Sequence, residues 1–341
     1  MIFLIKNLLY QIKRFISIFL YSPLVILFRL LNIHVPYFHV DRIGHFLHDP
    51  DCFIKEYFLR KGIFPKAILL APSNIVSNKE ASKLWEKYFI VISNATLSRI
   101  LLPVAFHPLN PLKNKRYTAV FKETSDIYSI FNRWGDRKAL FEFSSEQDAI
   151  GSSLVKEMGV SSDDWFICIH SREEGYSPSD EYLHSFRNFS FQDFFPAVDY
   201  IASMGGICIR MGDKTMLPVS HPNLIDYATC DYKSEFLDLY LASKAKFFLG
   251  SNSGAYTLSM IFGVPVAICN LAPLTCVTPG LSDINIPMLL KDKQSQKLIS
   301  FSDILLSPLE KIRTSEGWVN SNVELIKNSK DCLLYTSDAA D

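Results

Sequence analysis

Three short polar segments stand directly after apolar runs: His170-Ser171-Arg172, Arg210-Met211-Gly212-Asp213 and Ser251-Asn252-Ser253-Gly254. Their residue types suit one kind of ligand. Arginine offers a planar fork of donors that matches phosphate oxygens. The free N–H groups at the start of a helix do the same, and glycine lets backbone approach closely. Arg172, Arg210 and the Ser251–Gly254 loop can therefore neutralise a diphosphate. Each piece also has an ordinary use. Ser251 or Ser253 can cap a helix, and either arginine can form a salt bridge with Glu173, Glu174 or Asp213. Two residues are candidates for taking a proton from an attacking hydroxyl: His45, in Asp41-Arg42-Ile43-Gly44-His45, and Glu173. His170 can orient a ligand or serve only to close its strand.

Other chemistries find less support. No HExxH, Walker A, GxSxG or GxGxxG pattern occurs, against zincins, P-loop enzymes, common hydrolases and dinucleotide oxidoreductases. Asp49-Pro50-Asp51 matches a metal-binding DxD in form alone, with proline between the aspartates. No metal and no other cofactor is expected.

The elements that must position these residues follow from the apolar pattern. Strands are predicted at 36–40, 67–71, 89–92, 165–169, 207–210, 223–227, 246–249 and 265–269. Helices are predicted at 49–61, 80–88, 147–158, 191–204, 234–244 and 255–262, and a Pro/Asn-rich loop at 103–114. Alternation of this kind means parallel sheets with crossover helices. Ligands of such sheets bind at the carboxyl ends of the strands, which is where the three polar segments fall.

The 341 residues suggest about two domains. At 48% hydrophobic and 21% charged, the chain can build a large core. Thirty-five basic and thirty-five acidic residues cancel, which argues against a dedicated nucleic-acid binder. The seven cysteines form no CxxC pair and most lie in apolar runs, so they read as reduced core thiols of a cytosolic protein.

The N-terminus is different. The longest uncharged run, 15–28, is fourteen residues, short of the ~20 that span a bilayer. On a helical wheel Lys6, Asn7, Gln11, Lys13, Arg14, Ser17 and Ser22 share one half. Leu8, Leu9, Ile12, Phe15, Ile16, Phe19 and Leu20 share the other. No acidic residue precedes Asp41. The expectation is an amphipathic helix lying in a membrane interface, with packing on the protein's own core or a tilted span as the other readings. At the other end, residues 332–341 resemble a translated library adapter and are expected to be a non-native tail outside the fold.

The stretch from Phe166-Ile167-Cys168-Ile169-His170-Ser171-Arg172 through Phe186-Arg187-Asn188, Ile209-Arg210-Met211-Gly212, Ile225-Asp226-Tyr227 and Phe236-Leu237-Asp238-Leu239-Tyr240 to Phe247-Phe248-Leu249-Gly250-Ser251-Asn252-Ser253-Gly254 resembles a family of bacterial glycosyltransferases of surface-polysaccharide type. Asp41-Arg42-Ile43-Gly44-His45 resembles its N-terminal Arg-x-Gly-His, and the likeness covers about 36–331. More remotely, His170-Ser171-Arg172 is similar to the His-x-Arg of the α1,6- and protein O-fucosyltransferases, whose arginine contacts the donor diphosphate. There the pattern continues with a second arginine or an aspartate; here Glu173 and Glu174 occupy those positions.

The resemblance implies a GT-B-like α/β fold, two Rossmann-like domains with parallel sheets facing a cleft. The expected organisation is an N-terminal amphipathic membrane-interface helix at 1–35, an acceptor-side domain at 36–150 and a nucleotide-sugar-binding domain at 151–331. It implies metal-independent transfer of a sugar from a nucleotide-sugar donor to a glycan or lipid-linked acceptor. The expected location is cytoplasmic, at the inner face of the bacterial cytoplasmic membrane and held there by residues 6–31. The candidate donor contacts are His170, Arg172, Arg210, Gly212, Asp213, Tyr227, Ser251, Asn252, Ser253 and Gly254. His45 and Glu173 are the candidate catalytic groups. A non-catalytic nucleotide-sugar or sugar binding module, or a nucleotide-sugar epimerase with the same two domains, would share the donor site.

Overall fold

The computed structural model describes residues 2–112, 124–175 and 181–339. The chain divides into two compact units, Met1–Tyr117 and Thr118–Asp341, both of them α/β.

The first unit runs α1 (Ile2–Leu30), β1 (Ile33–His34), α2 (Ile43–Lys61), β2 (Lys66–Leu70), α3 (Lys79–Trp85), β3 (Ile90–Ile92) and α4 (Ala95–Ala105). Its sheet is parallel, in the order β1-β2-β3. The strand expected at 36–40 is not formed. Pro36 has no N–H for the ladder, and the pairing stops at His34, opposite Ala67. The helix expected to begin at Asp49 begins at Ile43 and carries Pro50 inside it. It ends at Gly62, whose φ of 67° is the left-handed conformation of a C-cap. The segment before the expected 103–114 loop is helix α4, started by Asn94, whose side chain accepts the Leu97 N–H. Within that loop, Asn110 Nδ2 donates to the Val35 carbonyl at 2.9 Å and also reaches the Val104 and Ala105 carbonyls.

Helix α1 continues through Pro23 for 29 residues. Its second half packs on the unit, with Val25 buried among Val35, Ile68, Val104 and Ala105 and Tyr21, Leu24 and Phe28 beside them. Its first half leaves Phe15 73%, Phe19 80% and Leu20 68% exposed. The side chains of Lys6, Asn7, Lys13 and Arg14, part of the expected basic face, lie outside the described residues. Among the described residues no helix is long and apolar enough to cross a membrane.

The second unit contains α5 (Thr124–Trp134), α6 (Ser145–Glu157), β4 (Phe166–His170), α7 (Glu181–His184), α8 (Phe195–Ser203), β5 (Ile207–Arg210), β6 (Leu224–Ile225), α9 (Glu235–Lys244), β7 (Phe248–Ser251), α10 (Thr257–Met260), β8 (Val266–Leu271), β9 (Ile284–Pro287), β10 (Leu289–Asp292), α11 (Phe301–Leu305), α12 (Ser315–Asn320), β11 (Val323–Ile326) and α13 (Lys330–Ala339). Helix α6 starts with a capping box of Ser144 and Gln147. The expected boundary at 150/151 cuts through it. It belongs here, with Gly151 so close to Tyr240 that an added Cβ would stand 2.3 Å from the ring. The division between units thus lies near residue 117, earlier than the expected 150.

The six-stranded sheet is parallel throughout, in the order β6-β5-β4-β7-β8-β9. Numbered from its first strand this is 3-2-1-4-5-6, the doubly wound order. Strands β4, β7 and β8 are buried along their whole length and read as near-continuous apolar runs. On one face Ile167, Ile169, Cys208, Leu249 and Cys269 meet Phe194, Val198 and Ile201 of the α8 region. Leu333 of α13 is fully buried in the same cluster, so the segment expected to be a tail outside the fold supplies a core residue. All seven cysteines are free thiols. Burial pushes Cys208 up to about 12, which leaves it a protonated core residue.

Candidate functional site

The sheet order reverses between β4 and β7, and in doubly wound sheets the crevice at that point is where ligands bind. Two of the three polar segments meet here. Gly250 pairs with His170 across the strands. A Cβ on Gly250 would stand 2.8 Å from the His170 carbonyl oxygen, so glycine is what lets the two strands close. Ser251, buried at the end of β7, accepts the Arg172 backbone N–H at 2.8 Å. Ser171 Oγ donates to the Phe189 carbonyl at 2.6 Å, and Asn252 Nδ2 to the Ala272 carbonyl at 2.7 Å. Ser253 caps the next turn, accepting the Ala255 N–H at 3.3 Å. The helix behind this loop is one 3₁₀ turn, Gly254–Tyr256, and the four-residue α10. So few aligned peptides make a weak dipole, so a phosphate here would depend on N–H groups and hydroxyls at close range.

The third segment sits beside these two, since β5 pairs with β4 and places Arg210 opposite Ile169. Its arginine is not presented to the crevice. Arg210 is 0% exposed. It donates to Asp226 Oδ1 at 2.8 Å, Glu173 Oε1 at 3.0 Å and the Leu217 carbonyl at 3.1 Å, and its guanidinium stacks 4.9 Å from the Phe191 ring. Arg172 donates to Asn188 and, at 3.2 Å, to Glu181 Oε2. Two arginines thus face three carboxylates, and the expected clamp of two free guanidinia is instead an ion-pair network. Arg210 acts as its buried hub. Glu173, a candidate base, is Arg210's partner; burial pushes its carboxyl up while Arg210 opposes the shift.

The remaining candidates have structural partners. His170 Nδ1–H donates to the Met211 carbonyl at 3.0 Å, and burial pulls the imidazole down to about 4. It is therefore neutral at pH 7, with its lone pair on Nε2. Tyr227 is fully buried, donating to the Ser234 carbonyl at 3.0 Å and accepting its N–H at 3.2 Å. Gly212 packs where a Cβ would stand 2.0 Å from Met216 Sδ. Asp213 accepts the Thr215 N–H at 2.8 Å and closes a turn. Tyr227, Gly212 and Asp213 therefore hold the sheet edge together.

In the first unit His45 lies on the first turn of α2, with its side chain 29% exposed. Asp49, one turn on and 3% exposed, lies 3.4 Å from His45 Nδ1 and 3.2 Å from His48 Nδ1. Burial pushes the Asp49 carboxyl up, but the two histidine bonds outweigh it and hold the group below its usual range. Its partner in the formal DxD, Asp51, is fully buried against Lys55 at 2.7 Å. The two aspartates thus serve different neighbours. Among the described residues no group of three or more His, Cys, Asp or Glu side chains is arranged to hold a metal ion.

Sequence reasoning missed Asp49 as the partner of His45, and Glu181, Asn188 and Asp226 as partners of the arginines. The His45–Asp49 spacing of four is a helical neighbour signal. It becomes legible once the helix is seen to start at Ile43. The arginine partners lie 9, 16 and 16 residues away, Glu181 at the start of α7 and the other two in loops, with no periodicity to reveal them.

No family model matches the sequence, and no curated protein is similar to it. Solved structures do show a distant likeness. A glycosyl transferase of family 9 from Veillonella parvula aligns with 89% of this chain and 97% of its own, at 12% identity and a TM-score of 0.47. The ADP-heptose lipopolysaccharide heptosyltransferase II of E. coli aligns with 75% and 89%, at 11% identity and 0.43. A UDP-GlcNAc 2-epimerase from Methanocaldococcus jannaschii aligns with 83% and 76%, at 14% identity and 0.26.

Proposed function

We propose that this chain is a glycosyltransferase of GT-B architecture. In this reading the second unit holds a nucleotide sugar in the crevice between β4 and β7. The sugar passes to a hydroxyl of a glycan or lipid-linked acceptor. The observation that carries the reading is the doubly wound order with its two switch-point loops, 170–172 and 251–254, joined by the Arg172 N–H to Ser251 bond. Small and hydroxyl-bearing residues at that point are of the types that suit a diphosphate.

In the reaction the acceptor oxygen attacks the anomeric carbon. The bond from that carbon to the diphosphate oxygen breaks, and the electron pair leaves with the nucleoside diphosphate. Negative charge grows on the leaving group, so preorganised donors lower the barrier, and here the protein's own groups fill the place that a metal takes in other transferases. The candidate base is His45, whose Nδ1 lies 3.4 Å from the Asp49 carboxylate, a partner that would stabilise its imidazolium. The exposed Phe15, Phe19 and Leu20 of α1, with no acidic residue before Asp41, support attachment to an anionic membrane surface.

The test incubates purified protein with UDP-, GDP-, ADP-, dTDP- and CMP-sugars and follows release of the free nucleotide. A transferase hydrolyses its own donor slowly even without acceptor. Interconversion of the sugar without release would indicate an epimerase, and binding without either a silent module; both outcomes would end the reading. Flotation with phosphatidylglycerol vesicles, with and without residues 1–35, tests the membrane part, which fails if both forms stay with the soluble fraction.

A further inference from the structure

Helix α4 is apolar on its outer side, where the surface helix of a globular unit is ordinarily polar. Its inner side is fixed on the sheet: Ser98, Val104 and Ala105 are buried, and Ser98 Oγ donates to the Ile92 carbonyl at 2.8 Å. Leu97, Ile100, Leu102 and the C-cap residue Phe106 are exposed. The exposed polar side chains of this helix are Thr96 and Arg99.

The end of α4 adjoins α1. His107 Nε2–H donates to the Ile18 carbonyl at 3.0 Å, while its Nδ1 accepts the Leu109 N–H at 3.1 Å, and Arg29 Nη1 reaches the Leu109 carbonyl at 3.5 Å. Phe106 and Leu109, on either side of that histidine in the chain, are exposed, as are Ile26, Leu27 and Leu30 of α1. Neither 1–40 nor 87–112 contains an aspartate or glutamate, whereas Arg29 and Arg99 stand on the two helices. Exposed apolar residues with basic and no acidic companions match an anionic bilayer surface.

A row of rings leads from this junction to the candidate base. Centre to centre, Phe106 lies 4.7 Å from Tyr37, Tyr37 5.1 Å from His39, and His39 5.5 Å from His45. Tyr37, His39 and His45 are only half-buried. Helix α4 begins at the end of β3 and finishes beside the residues that follow β1, so it stays with the carboxyl edge of its sheet, from which 35–42 leads into α2 and His45. Rings with an apolar body and a polar tip suit a ligand that is part lipid and part sugar.

We propose that α4 and α1 together form a membrane seat, and that the acceptor is lipid-linked, its lipid lying along α4 and its sugar reaching His45 past Tyr37 and His39. The seat stands apart from the transferase reading. The acceptor class rests on that reading and narrows it, from a glycan or lipid-linked acceptor to one presented at a bilayer surface.

The experiment measures partition of the full chain onto vesicles of mixed phosphatidylglycerol and phosphatidylcholine, by flotation. Ile100→Glu and Phe106→Glu are each expected to lower it by about 10- to 100-fold, the contribution of one large apolar side chain leaving water. The control is Ile150→Glu on α6 of the second unit, where the side chain is 51% exposed, as it is at Ile100; its partition should stay within about twofold of wild type. Phe106→Trp keeps the surface apolar and adds no charge. Its fluorescence should be quenched by brominated lipid well beyond that of wild type, whose Trp85, Trp134 and Trp318 are buried. For the acceptor, the labelled nucleotide sugar that the protein hydrolyses is incubated with bacterial membranes and the product divided between butanol and water. Label is expected in butanol, and about tenfold less of it for Ile100→Glu.

Partition unchanged within about twofold in both Glu variants, no added quenching in Phe106→Trp, or a wild-type dimer that Ile100→Glu dissociates without any vesicle binding would overturn the seat. Label confined to water-soluble glycan would overturn the acceptor class and keep the transferase. Vesicle binding that depends on Ile100 and Phe106, with no nucleotide sugar turned over, would keep the seat and remove the transferase.

Discussion

Replacing Arg210 by methionine separates a ligand arginine from a structural one. Methionine fills a similar volume and can still lie on the Phe191 ring, so the change removes charge more than packing. It leaves Glu173 and Asp226 without their shared cation, in a pocket where Arg210 is 0% exposed. Removing one partner of a buried pair costs about 3–5 kcal/mol. For a unit of this size that is a fall in Tm of about 6–20 °C. The loss should shrink as pH falls. Burial already raises the Glu173 carboxyl, and without Arg210 it rises further, so protonation removes the stranded charge at mildly acid pH. The triple variant Arg210→Met, Glu173→Gln, Asp226→Asn should recover most of the stability, because a neutral pocket leaves no ion unpaired. The assay is thermal unfolding by circular dichroism at pH 5 and pH 8, with nucleotide binding measured alongside. If Arg210→Met keeps its Tm within about 2 °C of wild type and abolishes nucleotide binding, Arg210 is a ligand and the hub is refuted.

Three further outcomes rest on the same geometry. His170 sits at about 4 in the folded state against about 6.5 unfolded, so below pH 6.5 the unfolded chain takes up a proton that the folded one refuses. Stability should fall by about 3 kcal/mol between pH 6.5 and pH 4, and denaturant titrations of His170→Asn should show that slope flattened. Gly250→Ala should destabilise by about 1–3 kcal/mol, read as a lower urea midpoint, because its Cβ would stand 2.7 Å from the ring of buried Phe248 and 2.8 Å from the rigid His170 carbonyl. Asp49→Asn should lower transfer by about 10- to 100-fold while leaving donor binding intact, and His45→Ala by about 100- to 10,000-fold. The Asp49 carboxyl is held low by its histidines, so its contribution to stability is present above the unfolded carboxylate range and lost as pH falls through the lowered folded value. The Asn variant should lack that acid loss.

The second unit was readable because its strands are buried on both faces. Ile167-Cys168-Ile169 and Leu249 admit no polar residue, so each strand stands out as an apolar run between turns. The first unit was harder. Its β1 has two residues, set by pairing with β2 and by Pro36 rather than by any apolar run. Helix α2 carries buried Asp49, Asp51, Lys55 and Glu56, so its inward face looks polar in sequence. Those charges are stable inside because Asp51 pairs with Lys55, Glu56 with Arg60 and Asp49 with the histidines. Helical pattern reasoning assigns such residues to the outside.

The amino-acid order by itself determined that this is an α/β chain, which loops end its strands, and which residue types gather there, because those are properties of neighbours along the backbone. Only the tertiary structure decided what each of those residues faces. The strand order brought the loops at 170–172 and 251–254 into contact. It also delivered Glu173, Glu181 and Asp226 to the two arginines that looked free. A guanidinium has the same chemistry in either setting; whether it binds a ligand or a carboxylate depends on which group reaches it first through space, and linear spacing carries no record of that.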